Sequence, residues 1–185
     1  MLTLLFMHKI RYKTTMTHKK TYLILDFDEC LFEHPEGTED YFGLAYAETA
    51  IAMGCKLPLD EATALAHRSF KERGLSHYMF ADHGLDIREL YMRTHPHLFQ
   101  TYIMQHEDEI RARNLRPYFD RDDVEAVVLT HGTTRWALDN LALLNLSDIF
   151  PDERIIGLEK ADFIRKDEHE KPYLMALEAL GLTAE

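Results

Sequence analysis

At 185 residues the chain is long enough for one domain, or for a core carrying a small insert, and its 46% apolar content supplies a buried core and argues against disorder. Acidic residues outnumber basic ones 32 to 21, giving a net charge of -11, which disfavours unaided binding of a nucleic-acid polymer or an anionic membrane because both need basic patches. Two cysteines, Cys30 and Cys55, with no CxxC pair, fit a reducing compartment such as the cytoplasm.

The apolar start Leu2-Thr3-Leu4-Leu5-Phe6-Met7 is too short to span a membrane, and it precedes its basic residues instead of following them, so it is a poor signal peptide. Residues 1–15 read as an ill-ordered extension, with a short extra strand as the alternative, and residues 1–19 lie ahead of the first strand. Tyr22-Leu23-Ile24-Leu25 is a short apolar run with the look of a buried strand, and it leads into Asp26-Phe27-Asp28. Glu33 to Asp40 is a polar loop punctuated by Pro35 and Gly37.

Helical spacing follows. Phe42, Ala45, Tyr46, Ala50 and Met53 share one face, and Gly54 is a stop signal. Asp60 is the expected N-cap of a second helix with the stripe Ala62, Leu65, Ala66, Ser69 and Phe70, closed by Gly74. A third helix is expected over Asp86 to Arg93, with Ile87, Leu90 and Tyr91 inward and Pro96 closing the region. Leu98 to Asn114 keeps a helical character. Residues 33–115 therefore read as an all-helical insert, either a cap over the sheet or a plain helical layer.

After a loop at Pro117 and Asp120 to Asp123, Val124 to Thr130 is β-branched-rich and reads as a strand. His131-Gly132-Thr133-Thr134 turns it into a helix with Ala137, Leu138, Leu141 and Leu144 on its apolar face. A short strand centred on Ile155-Ile156, a charged loop from Glu159 to Glu170 and a helix from Pro172 to Leu180 complete the order. Pro at the helix start and Gly181 past its end match the usual asymmetry. Strands alternating with helices argue an α/β fold with a doubly wound parallel sheet. His95-x-His97 lacks a third ligand at a telling spacing and reads as a surface loop. His34, His77 and His83 read as solvated surface more readily than as pocket lining. Trp136 is expected to pack, and Cys55 to sit in the core of the helical insert.

Two carboxylates at the C-terminal end of a strand stand where open α/β sheets bind ligands. They repel unless a cation or a shared proton intervenes, and a hard ion such as Mg²⁺ is the natural partner. Thr130 and Gly132, with the N–H groups that open the next helix, can meet a phosphate, Gly132 by letting backbone come close. An apolar strand ending in D-x-D, a later strand ending in Thr130, and a lysine before the last helix together resemble the haloacid dehalogenase-like (HAD) hydrolases. Cys30 stands where that pattern has Thr or Val, and His131 where many relatives have Asn.

The resemblance spans residues 20–183. It implies a three-layer α/β core over residues 20–32 and 116–185, with residues 33–115 as a helical cap like those of pyrimidine 5′-nucleotidase-like and phosphoglycolate-phosphatase-like members. It also implies a Mg²⁺-dependent phosphomonoesterase. Asp26 would be the nucleophile, forming an aspartyl-phosphate, and Asp28 the general acid and base. The Asp26 carboxylate and the Asp28 backbone carbonyl would be metal ligands. Thr130, His131, Gly132 and a lysine would hold the phosphoryl oxygens. Lys166 best fits the family's distance to the last helix, whereas Lys171-Pro172 copies a Lys-Pro dipeptide that many relatives carry. The expected substrate is a nucleoside monophosphate, or else a small sugar or glycolate phosphate. The family's fourth motif, a strand ending in paired acidic residues, has no counterpart after Gly181-Leu182. The expectations that follow are missing C-terminal strands, an exposed edge on the first strand, weak Mg²⁺ binding, and a non-catalytic remnant as the alternative function.

Overall fold

A computed structural model describes residues 20–34, 37–109, 111–112 and 116–183. In chain order the elements are β1 (Thr21–Leu25), β2 (Phe32–Glu33), α1 (Thr38–Ala52), α2 (Leu59–Arg73), α3 (Ile87–Leu98), β3 (Arg111–Ala112), α4 (Arg116–Phe119), β4 (Val124–Leu129), α5 (Thr134–Leu143), β5 (Ile155–Ile156) and α6 (Lys171–Ala179). They form two compact units, one from residues up to 34 and from 110 onward, the other from residues 35–109. The expected extension at residues 1–15 lies outside the described residues. No helix among those described is long and apolar enough to cross a membrane.

The first unit is α/β. Among the described residues its main sheet has the strand order β1-β4-β5, and both pairings are parallel. β1 is registered on β4 from Thr21 opposite Val124 to Leu25 opposite Val128. Side chains alternate along a strand, so Val127 and Leu129 face one side of the sheet while Val128 faces the other. On the first side Val127, Leu129 and Ile156 pack with Ala176 and Leu180 of the last helical segment, flanked by Tyr22 and Ile24. Trp136, Ala137 and Leu141 of α5 are also buried, at 1%, 0% and 0% exposure, and so anchor that helix. The chain that crosses from β1 to β4 leaves and re-enters through a two-residue antiparallel pair, β2 on β3. The sequence pattern contains no signal for this pair, because two residues are too few to show a period.

The second unit is helical. α1 packs against both α2 and α3. Gly43 sits where α1 meets α2: a Cβ there would lie 2.0 Å from His67 Nε2. Ala45, Tyr46, Ala50, Ala62, Leu65 and Ala66 are buried as the spacing requires, and so is Cys55. Phe70, read as part of the buried stripe, is 57% exposed instead. It lies one helical step from Ser69, which takes the inward place and whose hydroxyl donates to the Leu75 carbonyl. Pro58, not Asp60, occupies the N-cap of α2, and Asp60 lies in the first turn, where its charge still favours the helix N-terminus. Asp86 does cap α3, accepting from the Arg88 and Glu89 amides.

Pro96 does not close the third helix. α3 runs through it to Leu98 and widens into a π-helical turn over Phe99–Ile103. Proline removes one backbone donor and crowds the preceding turn, which is why it ordinarily stops a helix, yet α3 continues through Pro96. The two histidines of His95-x-His97 are on this helix, not on a loop. His95 is buried and its Nδ1 donates to the Tyr91 carbonyl 3.1 Å away. His97 Nε2 meets Glu48 Oε2 at 2.7 Å, and the Tyr102 hydroxyl donates to the same oxygen at 2.9 Å. Burial and then Glu48 push the Tyr102 phenol up to about 12. His77, expected at the surface, is 1% exposed and packs among Tyr46, Tyr78 and Tyr91.

Candidate active site

The site is built at the C-terminal ends of β1 and β4. Beyond Leu25 the chain leaves the sheet. Phe27, fully buried, anchors a turn in which its carbonyl accepts from the Cys30 and Leu31 amides. Glu29 takes the left-handed conformation, φ 59°, that this reversal requires. The turn holds Asp26 and Asp28 in different surroundings. Asp26 keeps an exposed side chain, 48% accessible, while Asp28 is turned inward toward the end of β4.

The Asp26 carboxylate is met by one cation. Lys166 Nζ lies 2.5 Å from Asp26 Oδ1 and also donates to the Leu129 carbonyl at the end of β4, 3.0 Å away. The Phe27 amide donates to the same Asp26 oxygen at 2.8 Å. Lys166 is itself well covered, 13% exposed, so this pair is screened less than a surface pair. Lys171, the other candidate, is turned elsewhere and pairs with Asp162. Lys171 opens α6 and its ammonium is spent at the surface, whereas Lys166 comes from the preceding loop, which reaches back to β4.

Among the bonds described, Asp28 meets the side chains of Trp136, His34 and Thr130. Trp136 Nε1 donates to Oδ1 at 2.9 Å, His34 Nε2 lies 3.1 Å from the same oxygen, and the Thr130 hydroxyl donates to Oδ2 at 3.4 Å. Oδ1 accepts from His34 in the tautomer that carries its proton on Nε2. Thr130 Oγ1 in turn accepts from the Gly132 amide at 2.8 Å. Thr130 thus links the backbone of the turn to Asp28.

Gly132 also has a packing reason to lack a side chain. A Cβ there would lie 2.7 Å from Trp136 Cδ1, so its bareness accommodates the indole. The N-terminus of α5 is also already engaged. Thr133 caps it, accepting from the Trp136 amide, and Glu159 Oε1 accepts from the Thr134 amide at 2.8 Å. The chain's own carboxylate therefore takes part of the anion site that a helix start offers. His131 points toward Asp167, Nε2 to Oδ1 3.3 Å. Burial, and then the nearby Lys166 charge, lower its pKa below the ordinary 6.5, which favours the neutral ring.

Of the residues singled out in the sequence, Asp26, Lys166, Asp28 and Thr130 come together. Trp136 and His34 were missed as members of the site. Tryptophan reads as packing, and it does pack, at 1% exposure, but its N–H needs a partner when buried. Its place in the first turn after Thr130-His131-Gly132 was the available signal. No group of three or more His, Cys, Asp or Glu side chains converges on a point among the described residues. The donor set still fits a Mg²⁺ ion, which characteristically takes one or two protein carboxylates and keeps much of its water. Asp26, with its half-exposed carboxylate, is the side chain suited to it.

No protein-family model matches this chain, and no curated protein matches it. Among solved structures, the chain is similar to a candidate phosphatase from Clostridium difficile at 15% identity and a TM-score of 0.48, over 91% of this chain and 73% of that one. It is also similar to a HAD-superfamily hydrolase of subfamily IA, variant 1, from Geobacter sulfurreducens PCA at 17% identity and a TM-score of 0.44, over 92% and 77%.

Proposed function

We propose that this chain is a Mg²⁺-dependent phosphomonoester hydrolase of the HAD type that works through an aspartyl-phosphate on Asp26. One observation carries the reading: an exposed carboxylate at the C-terminal end of a parallel strand is held 2.5 Å from a covered lysine ammonium, with a second carboxylate two residues on. A lysine in that place lowers the cost of bringing a phosphate dianion to a carboxylate nucleophile and stabilises charge on the transferring group. Asp26 attacks phosphorus and the ester oxygen departs, taking a proton from Asp28. Asp28 then removes a proton from water, whose oxygen attacks phosphorus and frees Asp26 and inorganic phosphate. Thr130 and Lys166 hold phosphoryl oxygens. Mg²⁺, held by the Asp26 carboxylate and the Asp28 backbone carbonyl, would supply Lewis-acid stabilisation of the phosphoryl charge.

Residues 33–115 act in this reading as the cap that selects the substrate, and the substrate class is a nucleoside monophosphate. A cytoplasmic location belongs to the same proposal and is supported by a cysteine content of two, Cys30 and Cys55, with no CxxC pair. A panel of phosphomonoesters assayed with and without Mg²⁺, on wild type and on Asp26→Asn, tests it. Metal-dependent release of phosphate that Asp26→Asn lowers by about a thousandfold or more is expected, since an amide cannot form the acyl phosphate. Equal turnover in the variant would sink the mechanism, and no turnover on any ester would favour a non-catalytic role.

A further inference from the structure

We propose that Trp136 is a positioning residue for Asp28: its indole N–H, with His34 Nε2–H, holds Asp28 Oδ1 so that proton transfer to the leaving group runs through Oδ2. The inference rests on the phosphomonoesterase reading above. Oδ1 takes the two shorter bonds, 2.9 Å from Trp136 and 3.1 Å from His34, while the Thr130 bond to Oδ2 is 3.4 Å long. Among the bonds described to Asp28 the 3.4 Å one is the longest, so it is the one of these that a leaving-group oxygen replaces at least cost.

The surroundings fix the indole. Trp136 is 1% exposed and occupies the first turn of α5, whose N-cap Thr133 bonds the Trp136 amide. The ring lies over Gly132, where a Cβ would come within 2.7 Å of Cδ1. His34 lies beside it, ring centroids 6.0 Å apart. A carboxyl group can otherwise rotate between equivalent oxygens. Two donors on one oxygen remove that freedom and keep the other oriented for transfer, which is the pre-organisation a general acid needs. In the step, the P–O ester bond breaks, its electron pair stays on the leaving oxygen, and the proton on Asp28 Oδ2 moves to that oxygen.

Leaving groups differ in their need for that proton. An alkoxide leaves poorly without one, whereas 4-nitrophenolate leaves readily. For Trp136→Phe, which keeps most of the packing and deletes the N–H, kcat/KM on an alkyl phosphate should fall by about 10- to 100-fold. On 4-nitrophenyl phosphate it should change by less than about threefold, because little general-acid help is needed. A loss of equal size on both esters, in a variant with unchanged thermal midpoint, overturns the inference. Trp136 is the chain's one tryptophan, which provides a second measurement that needs neither turnover nor a Trp136 variant. Emission of the otherwise wild-type protein carrying Asp28→Asn should shift in maximum or intensity as the indole loses its charged acceptor, and identical spectra overturn the contact. Turnover that survives Asp26→Asn would instead condemn the phosphomonoesterase reading, whatever the emission shows.

Discussion

At the scale of single residues, the two lysines divide cleanly. Lys166 is covered and its ammonium meets both Asp26 and the Leu129 carbonyl, while the Lys171 ammonium meets the exposed Asp162 carboxylate. Lys166→Ala should therefore raise KM for a phosphomonoester and lower kcat/KM by about 100-fold or more, whereas Lys171→Ala should stay within about threefold, as surface pairs contribute little. Steady-state kinetics on the two variants decides this, and equal losses would refute it. His131 makes a separate prediction about stability. Its pKa is depressed in the folded state by burial and then by Lys166, and returns to about 6.5 on unfolding. Between the folded value and 6.5 the unfolded chain binds more protons, so stability is full above 6.5 and declines as pH falls through that window. The Asp167 carboxyl, held below its ordinary 3.8 chiefly by Arg165, loses its contribution only at still lower pH. On going from about pH 7.5 to about pH 5.5, wild type should lose more of its thermal midpoint than His131→Asn does. Parallel curves for the two proteins would show that His131 is not responsible.

At the scale of elements, two glycines test how closely segments approach. A Cβ at Gly157 would meet the Thr134 backbone nitrogen at 2.4 Å, and Thr134 is fixed there because Glu159 accepts from its amide. A Cβ at Gly43 would meet the imidazole of His67, the far end of a side chain that can rotate away. Gly157→Ala should cost about 1–3 kcal/mol as overpacking against backbone. Gly43→Ala should cost less, because Ala also gains helix propensity there. Denaturant midpoints rank the pair, and the reverse order would show that His67 is the rigid partner. Thr133→Ala removes the α5 cap and should cost about 1 kcal/mol. What the sequence made legible follows the same physics. β1 and β4 announce themselves as apolar and β-branched runs, α1 by its length and α6 by its Pro start and Gly end, and D-x-D with Thr130 marks where the site lies. The β2–β3 pair was silent because it has only two residues a side. The helix through Pro96 was hidden because a proline, lacking the helical N–H and crowding the turn before it, reads as a stop. Burial of His77 and His95 was hidden because their partners, Tyr46 and Tyr91, come from other turns and other helices. Trp136 was legible as buried, but its bond to Asp28 is 108 residues away along the chain.

For the molecule as a whole, the decisive feature is that each unit has a core of its own. In the α/β unit Val127, Val128, Leu129, Trp136 and Leu141 are buried at 2% exposure or less. In the helical unit Phe80, Leu90, Tyr91, Leu98 and Ile103 are buried at 1% or less. Units with separate cores can be destabilised separately, since local stability follows local burial. Trp136 belongs to the first unit, so its emission reports on that unit alone, while far-ultraviolet circular dichroism also weighs α1, α2 and α3 of the second. Phe80→Ala removes a fully buried ring from the helical unit and should cost it about 3–5 kcal/mol. Leu141→Ala removes a buried side chain from α5 and should cost the other unit about 2–5 kcal/mol. In Phe80→Ala the dichroism transition should move to lower temperature than the Trp136 emission transition. In Leu141→Ala the emission transition should fall first. Coincident transitions in both variants would mean that the units unfold as one cooperative body, and the two cores would then have to be counted as a single reservoir of stability.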